Sequence, residues 1–223
     1  MPRCGGGADP ARRAASLMCN GASLMLARRG EETTMWQQED TEIAHAESVH
    51  DEARGMRGVR FVIDIGNIDP LDAAAMWWDQ QGCARELFPG TGCEMQSGSY
   101  RERRFVVRMS VPLPGVGHFT QMLRFSAERV APEVFVIVVD AFDENVLWTR
   151  GLGTYRFSPG SGGTTLIEVT SLYAPKVPII VLNQASLAAA RAHQRRYLSG
   201  RRPTDEERAQ FLSAIGAGPQ AEA

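Results

Sequence analysis

A chain of 223 residues, 43% of them apolar, is long enough to bury one sizeable core. With 24 basic against 26 acidic residues the net charge is −2, which argues against a nucleic-acid binder or a protein held on anionic membranes by charge. Among the basic residues only Lys176 is lysine, a base-composition bias rather than a phosphate-recognition signal.

The first 35 residues, MPRCGGGADPARRAASLMCNGASLMLARRGEETTM, read as a disordered leader or an over-extended start, with Met35 as the alternative first residue. Arg12 and Arg13 precede a mildly apolar stretch, but Asn20 and Gly21 interrupt it and Cys19 lacks a lipobox, so a secretory signal is not supported. Cys4, Cys19, Cys83 and Cys93 show no CxxC spacing, which speaks against zinc or a disulfide framework and fits a reducing, cytoplasmic compartment. No run approaches the roughly 18 apolar residues of a membrane span.

TEIAHAESV (41–49) and GVRFVIDIGNI (58–68) alternate as a strand pair. DPLDAAAMWWDQQG follows as a helix, with Asp69 as cap, Pro70 at its first position and a stop at Gly82. ARELF predicts a second short helix. Five strands come next: RFVVRMSVPL, HFTQMLRFSAERV, EVFVIVVDAF, ENVLWTRGLGTYRFSP and GTTLIEVTSLY. Their connectors, PGVG, APE, FDEN and PGSGG, are turn chemistries between antiparallel neighbours. Pro175–Gly200 then forms a long helix with no charge between Lys176 and Arg191. Residues 201–223 are a polar tail in which Thr204 caps a short helix. This order excludes the alternating βαβ pattern of a parallel sheet.

Side chains alternate with period two along a strand, so parity sorts the faces. Hairpins closed at 130–132 and 143–145 place Arg124 near Val138 and Asp140 near Trp148. Arg108, Met122, Arg124, Asp140, Trp148, Arg150 and Glu168 then share one face, on which Arg124, Asp140 and Arg150 make a solvated charge cluster. Phe105, Val107, Met109, Phe119 and Gln121 share the other, as do Leu123, Phe135, Ile137, Val139 and Leu147, together with Tyr155, Ile167 and Val169. Phe61 and Ile63 in the second strand have the same parity. A sheet of about seven strands is over 30 Å wide and a helix about 10 Å, so the sheet must curl around its helix. Side chains or a ligand fill the concavity.

VPLPGVGHF, VLWTRGLGTYRFSP and TLIEVTSLYAPKVPIIVLNQASLAAARAHQRRYL resemble the second half of a START domain, of the helix-grip (SRPBCC, birch-pollen-allergen-like) superfamily. Trp36, two strands and DPLDAAAMWWD match its upstream order, so the resemblance spans residues 36–200. The chain departs from the pattern in two places. Gly117-His118-Phe119 replaces an Arg-Asp-Phe element after Pro112-Leu113-Pro114, and Leu123 stands where some members carry a cavity arginine. A charged cavity dyad is therefore not expected.

The resemblance implies an α+β helix-grip fold, a curved antiparallel sheet of about seven strands around a long C-terminal helix, with two short helices after the second strand. It also implies a hydrophobic tunnel holding a lipid or other hydrophobic small molecule. The inside-face residues above would line it, with Ile180, Asn183 and Leu187 from the helix. Gln121, Thr149, Ser171 and Asn183 would supply polar contacts. No cofactor, metal, nucleic-acid partner or integral membrane segment is expected, while transient membrane contact is. His45 and His50, five apart at a strand end, make a poor metal pair, and His118 and His193 read as surface residues. No GxSxG, HExxH or phosphate loop occurs. The leading functional expectation is a non-enzymatic carrier, transfer protein or sensor. The alternative is a polyketide cyclase/aromatase-like enzyme, which requires two of His45, Gln121, Tyr155, Tyr173 and Asn183 to converge. A third is an interaction module with a collapsed pocket.

Overall fold

The structure, a computed structural model, describes residues 44–113 and 117–216; the leader expected at 1–35, Trp36, and Cys4 and Cys19 lie outside them. Eight strands form one antiparallel sheet: β1 (Ala44–Asp51), β2 (Met56–Asp64), β3 (Gly92–Ser97), β4 (Arg104–Leu113), β5 (Gly117–Ala131), β6 (Val134–Ala141), β7 (Trp148–Pro159) and β8 (Thr165–Pro175). Their order is β1-β2-β8-β7-β6-β5-β4-β3, so the last strand closes against the second. Helices α1 (Pro70–Trp78) and α2 (Gln80–Leu87) sit between β2 and β3, and α3 (Ile179–Leu198) and α4 (Asp205–Ala214) follow the sheet. This is the helix-grip architecture, with β3 as an eighth strand. GCEMQS is short and mostly exposed, and gives little alternation to read.

The pairing corrects the expected registers while preserving the faces. Arg124 lies opposite Asp140, and Val138 opposite Thr154. These pairings differ from the turn-based ones by two and four residues, and an even slip keeps each side chain on its face. Asp140 accordingly bridges Arg124 and Arg150 on the outer surface, at 3.4 and 3.2 Å. One strand end does flip. A bulge between Trp148 and Arg150 turns Trp148, expected outside, into the interior.

α1 begins as read: Asp69 accepts from the Leu71 amide at 2.8 Å and Pro70 follows. It ends earlier than expected, at Trp78, because Asp79 starts a new helix by accepting from the Gly82 amide at 3.1 Å. Gly82 is thus an interior residue of α2 rather than a stop. A Cβ there would fall 2.1 Å from the Asp79 carboxylate, so the cap requires glycine.

The inner face of the sheet is filled differently along its width. Over β4, β5 and β6, Phe105 and Phe125 stack at 4.8 Å, Trp78 meets Phe105 edge-on at 4.7 Å, and Phe211 of α4 reaches Trp78 and Phe135. Phe211 is fully buried and Thr204 closes a capping box with Glu207, so residues read as a polar tail complete this core. Over β2 and β8 lies α3, which is held at its C-terminal end. There Gln194 donates to the Asp64 carbonyl at 2.7 Å, Tyr197 to the Ala73 carbonyl at 3.1 Å, and Arg196 to Glu86 at 2.6 Å and the Met76 carbonyl at 2.9 Å. Arg201 joins Glu86 to Glu207. The opposite end starts at Pro178 without a side-chain cap.

Candidate functional site

Between α3 and the β2–β8–β7 part of the sheet is a partly open cavity of about 310 Å³. That is the space of about ten waters in the liquid, room for one compact molecule. Phe61, Ile63, Ile167 and Val169 form its sheet wall. α3 contributes Leu182, Ala185, Ser186, Ala189, Ala190 and His193, positions spaced i, i+3, i+4, i+7, i+8 and i+11 on one helical face. Trp77 closes one side, Phe88 and Thr91 another, and Met109, Phe119, Gln121 and Trp148 the rest.

The long uncharged run of α3 is now explained. The helix covers a cavity with small side chains and becomes charged where it leaves it, at Arg191 and Arg195, both exposed. Arg196, the next arginine along the helix, is instead buried in the ionic clasp.

Four hydroxyls gather toward the start of α3. Tyr173 and Ser186 are 2.9 Å apart, and Ser186 donates to the Leu182 carbonyl at 3.0 Å, so the tyrosine proton goes to the serine. Ser171 lies beside Tyr173. The Tyr155 ring folds over Gly153, where a Cβ would meet ring carbons at 3.1 Å, and its hydroxyl comes near enough to feel Tyr173. Burial pushes both tyrosines above the usual phenol range; they remain protonated.

His193 stands toward the other end, 6.1 Å from Trp77 and 6.4 Å from Phe88 between ring centroids. Burial, aided by the neighbouring Arg196 charge, lowers its pKa to about 3. The ring is neutral, with one donor and one acceptor nitrogen. Its Nδ1 is sealed from solvent without a hydrogen-bond partner among the described residues.

The sequence-derived lining set divides. Phe61, Met109, Phe119, Gln121, Ile167 and Val169 border the cavity. Phe105, Val107, Leu123, Phe135, Ile137 and Val139 do not. They face inward as parity requires, but they belong to the packed core, where Trp78 of α1 meets Phe105 and Phe211 of α4 meets Phe135. Thr149 is exposed and donates to the Ala174 carbonyl at 3.3 Å, flipped outward by the bulge that turns Trp148 in. Ile180, Asn183 and Leu187 miss the cavity because the helix face was misjudged by up to two residue steps; Ile180 is 57% exposed and Leu187 packs on the core. His193, expected on the surface, is a wall residue. Of the groups an enzyme would need, Gln121, Tyr155 and Tyr173 converge. Asn183 does not, and the His45 side chain lies outside those described.

Trp77, Trp148, Tyr173, Ser186 and His193 were not in that set. One signal for Trp148 and Tyr173 was available. Gly151 and Gly153 sit on the inward side of β7, and glycines there mark room for large neighbours: Cβ atoms would press on the Tyr155, Tyr173 and Trp148 rings. Among the described residues no three His, Cys, Asp or Glu side chains form a metal-binding group, and no helix is long and apolar enough to cross a membrane.

No known family profile matches the chain, and no curated protein does. Solved structures do. A START superfamily protein from Mycobacterium smegmatis aligns with a TM-score of 0.50 at 13% identity, over 66% of this chain and 99% of that one. The Zhui aromatase/cyclase from Streptomyces sp. R1128 gives 0.49 at 15% identity, over 70% and 93%. A STAR-related lipid transfer protein from Xanthomonas axonopodis gives 0.48 at 13%, over 68% and 98%. The fold is therefore the helix-grip fold of the START superfamily.

Proposed function

We propose that this protein binds one neutral, hydrophobic small molecule in the cavity beneath α3 and carries, transfers or senses it without transforming it. The observation that carries this reading is the state of the wall. Its titratable groups are pushed away from neutrality, the tyrosines upward and the histidine down to about 3, so they act as hydrogen-bonding groups. Proton-transfer catalysis is served best by groups titrating near the operating pH. Affinity then comes from apolar burial, at roughly 25 cal/mol per Å² before ordering costs.

Transient contact with a membrane belongs to the same reading. Val146 and Ile180 are 44% and 57% exposed next to the wall residues Leu147 and Leu182. The reading places the protein in the cytoplasm, where the free thiols of Cys83 and Cys93 persist. Its binding unit is the START-like region at 36–200 completed by α4.

The test is native mass spectrometry of the purified protein, organic extraction of whatever it carries, and titration with the neutral dye Nile red. A discrete hydrophobic adduct, recovered unchanged after prolonged incubation, is the expected result. Failure to bind any hydrophobic compound, together with a cavity closed by its own side chains, would overturn it. A second reading, a cyclase-like enzyme, is favoured by the convergence of Gln121, Tyr155 and Tyr173 on one cavity. It predicts that an extracted compound returns to the protein and is released with altered structure.

A further inference from the structure

The outer face of the sheet has a concavity of its own, with the sheet between it and the cavity. It is a cleft of about 350 Å³. Met56, 1% exposed, and the side chains of Val138 and Leu152 give it an apolar floor. Four arginines stand around that floor. Arg104 of β4 lies opposite Ser126, and Arg124 of β5 is two residues from that serine on the same face. Arg150 comes from β7, and Arg54 from the turn between β1 and β2. Asp140 is shared by Arg124 and Arg150, at 3.4 and 3.2 Å, and Asp51 holds Arg54 at 2.7 Å. Arg104 is exposed and has no carboxylate partner among the described residues. Four guanidiniums thus meet two carboxylates, an excess of two positive charges on a chain of net charge −2.

We propose that this cleft is a second binding site, for an organic phosphomonoester. Its phosphate sits among the arginines and its apolar body lies on the Met56–Val138–Leu152 floor. The site is on the opposite face of the sheet from the cavity, so it stands whether or not the carrier reading does. Above pH 7 a phosphomonoester carries a charge of about −2 and three strong acceptor oxygens. That charge equals the excess around the cleft, and the planar guanidinium fork fits two phosphate oxygens at once. A carboxylate supplies half the charge. Inorganic phosphate supplies the charge but leaves the apolar floor uncovered. A concave site ringed by one sign of charge also gathers anions from solution, although the chain as a whole repels them.

Phenyl phosphate is the probe, titrated into the isotope-labelled full chain at low salt and followed by amide NMR shifts. Saturable shifts are expected around Arg104, Arg124, Asp140 and Arg150, and none around Ala189 on the cavity wall. The methyl ester of the probe, one charge poorer, should bind about tenfold more weakly through loss of a charge-assisted hydrogen bond. Inorganic phosphate should also bind more weakly, having no ring to bury. Arg104→Ala should weaken phenyl phosphate about tenfold. Arg156→Ala, an exposed arginine on the same face of the sheet but outside the cleft, should leave it unchanged. Absence of saturation, shifts that map elsewhere, or full affinity in Arg104→Ala would overturn the site. Equal losses in the two arginine variants would also overturn it, since diffuse charge would then explain the binding. Pelleting with phosphatidylcholine vesicles that contain phosphatidic acid identifies the source. If pelleting depends on Arg104, the phosphomonoester is a lipid headgroup; if the chain stays in solution while phenyl phosphate binds, it is a soluble compound.

Discussion

The two halves of the inner sheet face have the same parity, the same antiparallel pairing and similar residues, yet one is solid and the other hollow. Around Phe105, Phe125 and Phe135 of β4–β6, bulky rings from three elements interlock: Trp78 from α1, Phe105 and Phe125 from the sheet, Phe211 from α4. Over β2 and β8 the covering helix presents one leucine, alanines, a serine and a histidine. The sheet supplies an apolar wall to both halves, and the size of the side chains laid over it decides whether a core or a cavity results. Interiors are otherwise close-packed, so space of this size requires an element that declines to fill it.

Mutations break the comparison in opposite directions. Phe105→Ala in the solid half should cost about 3–5 kcal/mol in urea unfolding, the loss for a fully buried aromatic that leaves a void. Enlarging a side chain is the sharper contrast. Ala74→Leu, in a fully buried α1 position, should destabilise by about 1–3 kcal/mol through overpacking. Ala189→Phe, in the hollow half, should stabilise by about 0.5–2 kcal/mol as a cavity-filling change, while Nile red affinity falls at least about tenfold. If Ala189→Phe left dye binding untouched, the dye would be sitting elsewhere.

His193 gives the hollow half a pH signature. Unfolding exposes the ring, which then takes a proton near pH 6.5, whereas the folded ring stays neutral to about pH 3. Its contribution is complete above pH 6.5 and is lost as pH falls toward 3. The urea midpoint should therefore drop between pH 7 and 5.5, and His193→Phe should flatten that drop. The smallest effect lies outside both halves. Asp140→Asn loosens a pair of half-exposed arginines and should change stability by no more than about 1 kcal/mol.

Much of this was legible in the sequence, for reasons that also set the limit. Alternation in β4–β8 is strong enough to assign faces even with hairpin registers off by two and four residues, and Asp69-Pro70 and Thr204 announce their helices locally. What alternation cannot show is depth. Val107 and Val169 both point inward, and only the placement of α1 and α4 decides that one is covered and the other borders space. The bulge beside Trp148 is a one-residue event with no marker in the sequence. α3 was hardest, because a helix with alanines on nearly every side has no stripe by which to fix its rotation, and the expected Ile180, Asn183 and Leu187 lie beside the face that lines the cavity.

The unequal fastening of α3 has a mechanical consequence. Its heel is riveted by Gln194, Arg196 and Tyr197 to β2, α1 and α2, while its toe at Pro178 has no side-chain cap. Such a helix behaves as a cantilever. Thermal agitation lifts the toe first and leaves the heel seated, so amide exchange should run fast around Val181 and slow around Tyr197. Entry to the cavity is then expected at its hydroxyl end, with the imidazole end as the closed back.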